Sequence, residues 1–294
     1  MTWILILVLA QFFYAIVFIF DKYILSRPKS HPVVYSFYVG FLGIAALVLI
    51  PFGFTMPNAS EAAWSIVSGV AQIGAFLLFY KAIDRGEVSR IVPLVGAISA
   101  VFVLILSSLI IKEFLTSQQI MAFILLVLGS LVIGFKKKHL LGNRILGLSV
   151  AAAFLFAVFW VVTKYLFLGT NFISGLVWVR VGVALVALTL LIPKKNRELI
   201  FSETKGVKSK IAWVFMLGRI LTILGSLFFY WAVFLGSVSL VNAFGGLQYV
   251  FVLILALLLF KKIPGLKEQF SREFLIQKII AVALICAGLG LLVI

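Results

Sequence analysis

Ten long apolar runs decide what this chain can become. They occupy roughly residues 3 to 24, 33 to 54, 62 to 83, 89 to 111, 118 to 135, 145 to 168, 174 to 192, 211 to 235, 238 to 260 and 276 to 294. An apolar stretch of about 18 residues or more can cross the hydrocarbon of a bilayer, where each backbone N–H and C=O must be paired within the protein. Helices meet that demand, so the sequence predicts an all-α integral membrane protein with ten transmembrane helices. Composition agrees: 64% of the 294 residues are hydrophobic and 12% are charged, too little polar material to coat a soluble domain. The connections are short, and no soluble domain is expected on either face. The first run is longer than a signal-peptide core and no small-residue cleavage site follows it, so it is expected to remain in the mature protein.

A formal net charge of +16 would suggest a nucleic-acid partner if it were gathered on one surface. Its distribution points elsewhere. The connections after the first, third, fifth, seventh and ninth runs, with their flanks, hold 21 Lys and Arg, against two (Lys112 and Lys164) in the alternate connections. Such an excess is the positive-inside bias, which puts the basic connections in the cytoplasm and both termini outside the cell membrane.

The chain also repeats itself. Residues 78 to 89 and 228 to 239 share the frame Phe-Tyr-x-Ala-x-x-x-Gly-x-Val-Ser. On either side, Ala63-Trp64 pairs with Ala212-Trp213, Val39-Gly40 with Val181-Gly182, Ile50-Pro51 with Ile192-Pro193, Lys22-Tyr23 with Lys164-Tyr165, and residues 101 to 106 with 250 to 255. These landmarks, in one order, read as a duplication with units 1–142 and 143–294. Each unit has five spans, an odd number, so the second must enter the membrane in the opposite sense. The charges follow suit: the connection after the second span has no Lys or Arg, whereas its copy after the seventh has six. Inverted repeats are a recurring transporter architecture, with the solute site near the midplane between the halves.

With these features the chain resembles the drug/metabolite transporter superfamily, in particular its ten-helix EamA-type members. The resemblance rests on Ala157-x-x-Trp160-x-x-x-Lys164 in the sixth span, Arg180 in the seventh, and Lys112-Glu113-Phe114 closing the fourth before Gln119 and a fifth span containing Gly129. It implies a carrier of small organic solutes. There are departures. Glu113 has its second-unit position near Lys262, the family is generally described with cytoplasmic termini, and the first span holds only Asp21, at its end. The small four-helix multidrug exporters of the superfamily place a carboxylate in the middle of that span, so proton-coupled export of cations is disfavoured here.

An arginine at mid-span costs roughly 2.5–3.5 kcal/mol on insertion scales, which makes Arg180 and Arg219 expected ligands for an anionic or carboxylated metabolite. Snorkelling to an interface or capping a neighbouring helix is the alternative. Breaks are expected at corresponding places in the fourth span (Pro93, Gly96) and the ninth (Gly245, Gly246), where freed backbone groups could meet a ligand; close helix packing is the competing role of such glycines. Asn242 and Gln248, six apart, face one cavity only if the helix unwinds at Gly245-Gly246. Gln11 and Gln72 are intramembrane amides that either pair between helices or bind solute, and Trp160 and Tyr249 are aromatic candidates for the cavity wall. Lys22 and Lys164, at span ends, suit snorkelling.

His31 and His139 stand alone in connections, and Cys286 is the single cysteine, so neither a disulfide within the chain nor a cysteine metal site is expected. No catalytic constellation, metal-ligand spacing or phosphate-binding glycine loop is visible. The expectation is therefore no enzyme and no cofactor, but a secondary transporter of a small organic solute, an anionic or amino-acid-like metabolite being the leading class. A lipid or lipid-linked headgroup flippase is one alternative. A non-transporting membrane interaction protein, expected to have a collapsed midplane with every polar group satisfied internally, is the other.

Overall fold

The computed structural model describes residues 2–24, 31–134, 142–202, 209–259 and 272–293. Helices make up almost all of it, and there is no strand among the described residues. In chain order they are α1 (Thr2–Ile24), α2 (Pro32–Phe41), which runs on as a 3-10 helix over Leu42–Phe52, α3 (Ala59–Arg85), α4 (Val88–Ile110), α5 (Ser117–Gly134) and α6 (Asn143–Gly169). Then come α7 (Phe172–Thr189), α8 (Lys194–Ser202), α9 (Ser209–Leu235), α10 (Val238–Ala243), α11 (Gly245–Leu259) and α12 (Arg272–Val293). Eight of the described helical stretches are long and apolar enough to cross a membrane, and two shorter apolar helices lie over Ser117–Ile133 and Ile220–Leu235. That is compatible with the ten expected spans, α10 and α11 together forming the ninth.

Local chemistry sets the ends. Asn58 and Glu61 form a reciprocal cap on α3: Glu61 N donates to Asn58 Oδ1 at 2.8 Å and Asn58 N to Glu61 Oε2 at 3.0 Å. Asn171 accepts from Ser174 N at 2.8 Å to start α7, and its amide donates to Gly53 O at 3.0 Å, tying that start to the end of the 3-10 segment. His31, read from the sequence as an isolated loop residue, caps α2 by accepting from Val33 N at 3.3 Å.

Three expectations need correction. The second span is not α-helical throughout. None of its last eleven residues is buried, and Pro51 has no N–H to give, so neither packing nor the hydrogen-bond ladder enforces α geometry there. At about 2.0 Å rise per residue instead of about 1.5 Å, the 3-10 half lengthens the span by roughly 5 Å. The fourth span is not broken at Pro93 or Gly96: α4 continues through both. Pro93 is the sixth residue of α4 and gives no N–H to Ser89 O, yet the loss of this one bond does not end the helix. Finally, α8 was not foreseen. Its Ile200 is fully buried, and Tyr38 on α2 donates its hydroxyl to Ile200 O at 3.3 Å.

The packed centre belongs to α6, α7 and α10. Six buried residues of α7 are apolar side chains or glycines between Gly175 and Val183, and α10 buries Val238, Ser239, Leu240, Val241 and Ala243. Around this centre α3 lies against α6 and α7, α1 against α9 and α11, α4 against α5, α6 and α10, and α5 against α12. At the α3–α7 crossing the backbones nearly touch, since a Cβ on Gly182 would strike Ser65 O and one on Gly69 would strike Gly182 O. Small residues allow helices to approach in this way where lipid supplies no hydrophobic drive. The rim carries exposed side chains such as Leu109, Val48, Leu258 and Ile279, which suit a hydrocarbon solvent.

Candidate functional site: a cavity at the broken ninth span

The ninth span is interrupted at Phe244, between α10 and α11, immediately before Gly245-Gly246. The two glycines do different work. A Cβ on Gly246 would collide with Ser130 Oγ of α5, so this position must be small, whereas one on Gly245 meets nothing within 4 Å. The open side of Gly245 belongs to a cavity of about 240 Å³.

This cavity gathers most of the residues singled out from the sequence. Gln11 comes from α1, Pro93 and Gly96 from α4, Trp160 from α6, and Asn242, Gly245, Gly246, Gln248 and Tyr249 from the two sides of the break. The break explains how Asn242 and Gln248 share one cavity although an unbroken helix would separate them. Asn242 Nδ2 donates to Val238 O at 2.9 Å and Gln248 Nε2 to Tyr14 O at 3.4 Å, which leaves both amide oxygens without a partner among the described residues. Gln11 is 2% exposed, yet its side chain makes no hydrogen bond among the described residues. A buried amide so placed costs free energy until something polar meets it.

The sequence reading missed Tyr14, Ser99, Ser130 and Phe229, which also line the cavity. A signal was there for Ser99. Val92, Pro93, Gly96, Ser99 and Ala100 recur at spacings of three and four, a stripe of small residues on one face of α4. Among the described residues, no Asp, Glu, Lys, Arg or His lines the cavity.

The arginines fall elsewhere. Arg180 lies on a second cavity of about 390 Å³ between α2 with its 3-10 extension, α7 and α9. Its guanidinium carbon stands 4.7 Å over the centre of the Tyr230 ring. Tyr230 in turn packs 5.3 Å from Trp160, so a layer of aromatic rings separates Arg180 from the amide-lined cavity. Gln72 does not line the cavity either. It lies buried on α3 within reach of the Tyr230 hydroxyl, and Gln72 Oε1 has no hydrogen-bond partner among the described residues. Arg219 falls on α9, and its side chain is outside the described residues.

Beyond the cavity, two charged side chains clasp the turn between α9 and α10. Lys164 does not snorkel: it is 7% exposed, and its ammonium donates to Val233 O at 2.9 Å, Phe234 O at 3.1 Å and Gly236 O at 2.8 Å, closing the end of α9. Glu113, whose role the sequence left open, takes the other side of the same turn. Its carboxylate accepts from Ser237 Oγ at 2.7 Å, Ser239 Oγ at 3.1 Å and the amides of Val238 and Ser239 at 3.3 Å, at the start of α10. Ser107 and Ser239 hydroxyls share a further bond of 2.8 Å. Lys22 of the first unit has its side chain outside the described residues.

No group of three or more His, Cys, Asp or Glu gathers among the described residues. Residues 1–135 match the profile of the EamA-like transporter family. No curated protein matches the chain. A crystal structure of a protein matches with a TM-score of 0.67 at 16% identity, covering 99% of this chain and 97% of that chain, a likeness that speaks for the fold alone. Over residues 1–135 the chain is thus similar to the EamA-like transporter family, and its described helices are those of a multi-pass membrane protein.

Proposed function

We propose that this protein is a secondary carrier that moves a small, amino-acid-like zwitterion or neutral polar metabolite through the cavity at the α10–α11 break. The observation that carries the reading is the conjunction of unpaired Gln11 with the break itself, in a cavity without charged side chains. At the break the carbonyl end of α10 and the amide end of α11 face each other, complementary to an ammonium and a carboxylate respectively. Trp160 and Phe229, 4.7 Å apart, offer an apolar wall for the remainder of the solute. The volume of about 240 Å³ lies below the roughly 300–1,000 Å³ of pockets that enclose drug-sized ligands, which favours a small solute over a lipid-linked headgroup. An open cavity with unpaired amides also speaks against a non-transporting scaffold.

The mechanism we infer is alternating access between two inverted halves, units 1–142 and 143–294. Exchanging the first five spans with the last five turns the α3–α6 pairing into α9–α1 and the α4–α6 pairing into α11–α1, and all four pairings occur. The α3–α7 pairing has no comparable counterpart between α2 and α9 among the described residues, as expected of one of two exchangeable states. We take the Glu113–Lys164 clasp to mark the gate that is shut in this state, opposite the basic connections. In the orientation read from the charges, those connections are cytoplasmic and the membrane is the cell membrane.

The test is a thermal-shift screen of the purified protein with neutral amino acids, dicarboxylates and organic amines, since a ligand of the folded form raises the melting temperature. Neutral amino acids are expected to stabilise the wild type and to lose their effect in Gln11→Leu and Gly245→Val. Stabilisation confined to dicarboxylates or amines, or unaltered in both variants, refutes the reading.

A further inference from the structure

The cavity around Arg180 is separate from the solute cavity and has a different chemistry. Arg180 is the ninth residue of the 18 in α7, so its cation stands near the middle of the span. It makes no hydrogen bond or ion pair with any described residue, and its guanidinium rests on the Tyr230 ring. A charge at this depth is costly unless an opposite charge or a dipole meets it. Gly43 makes room for the arginine stem, since a Cβ there would lie 3.2 Å from Arg180 Cδ. The polar hydroxyls nearby cannot serve as donors: Thr222 Oγ1 donates to Gly218 O at 2.8 Å and Ser226 Oγ to Ile223 O at 2.8 Å, both within α9.

The remaining walls are apolar, with Leu42, Val48, Leu49, Leu176, Ile223 and Leu227 prominent. Exposed Leu42, Val48 and Ile223 continue onto the hydrocarbon-facing rim, so the cavity opens sideways between α2 and α9. Leu49 and Leu227 also border an adjoining apolar cavity of about 490 Å³, which extends the groove toward Phe172 and Trp231. Along α7 that is a run of eight residues, or about 12 Å.

We propose that this groove binds a single-chain amphiphile with a carboxylate head, a fatty-acid-like anion that enters from the membrane, pairs its head with Arg180 and lays its chain along the groove. The guanidinium fork matches a carboxylate in two parallel hydrogen bonds, and that match is stronger where water is excluded. The volume suits one chain rather than two. The occupant would hold α2 and α9 apart, because it fills the gap they would otherwise close.

The test uses the full-length protein in phosphatidylcholine nanodiscs, with dodecanoate, 1-dodecanol and acetate as probes and melting temperature as the readout. Dodecanoate is expected to raise the wild-type melting temperature by several degrees, with no comparable shift from the alcohol, which lacks the charge, or from acetate, which lacks the chain. Arg180→Gln is expected to abolish the shift. Ala46→Phe, which fills the groove and keeps the charge, is expected to abolish it too, and this variant preserves the test if Arg180→Gln does not fold. Equal shifts from dodecanoate and dodecanol, a shift from acetate of the same size, or a dodecanoate shift that survives in the folded variants overturns the proposal. None of these results bears on amino-acid binding at Gln11.

Discussion

Lys164→Met would remove the one cation that closes the α9–α10 turn while keeping an unbranched side chain of similar length. The ammonium makes three bonds of 2.8–3.1 Å to carbonyls, each of a kind contributing about 1.5–3 kcal/mol net when one partner is charged. The substitution also leaves Glu113 at the same turn without its opposite charge. Stranding the carbonyls that the ammonium serves costs about 1–3 kcal/mol, less than the sum of the separate bonds because the remaining groups relax. The stronger statement concerns coupling. Glu113 and Lys164 hold two sides of one turn, so their effects cannot be independent. In a double-mutant cycle with Glu113→Ala, the double variant is expected to lose less than the sum of the single losses, with a coupling of about 0.5–3 kcal/mol. The assay is reversible unfolding of the purified protein in mixed micelles, followed by tryptophan fluorescence. A single variant as stable as wild type, or losses that add within about 0.5 kcal/mol, refutes the clasp.

Other outcomes follow from the same geometry. Gly96→Ala adds a methyl group that meets nothing within 4 Å and removes a mid-helix glycine, so it is expected to stabilise by about 0.5–1 kcal/mol while slowing uptake into proteoliposomes. Gly182→Ala drives a Cβ into Ser65 O at the α3–α7 crossing and is expected to cost about 1–3 kcal/mol in the same unfolding assay. In a Cys286→Ala background, Ser60→Cys is expected to react with a membrane-impermeant thiol reagent on intact cells and Lys195→Cys only after permeabilisation; labelling of both from one face would remove the inverted arrangement.

The spans were legible because the bilayer leaves so few solutions: an apolar run of sufficient length has to be a helix, whatever it packs against. The break in the ninth span was legible for a related reason. Two adjacent glycines flanked by Asn242 and Gln248 leave amides that an unbroken helix would point to different sides, and the helix is interrupted at Phe244, just before the glycines. The fourth span shows the limit of that logic. Pro93 reads as a breaker in sequence, yet α4 passes through it, because one missing donor does not end a helix whose other bonds and packing hold.

What the sequence by itself determined is thus local: which segments are helical and apolar, where a turn is forced, and where the basic connections lie. Partners were decided only by the tertiary structure. Arg180 and Gln11 are both polar residues inside spans, and nothing in either segment says that one would stand against an aromatic ring on a sideways-opening groove and the other on an amide-lined cavity. Lys164 read as a snorkelling end residue until the carbonyls of α9, some seventy positions away, came within reach of its ammonium. Apolar periodicity is weak in a chain that is hydrophobic on all sides, so the face that each helix turns inward is set by close contacts such as Gly69 on Gly182, which depend on helices far apart in the chain.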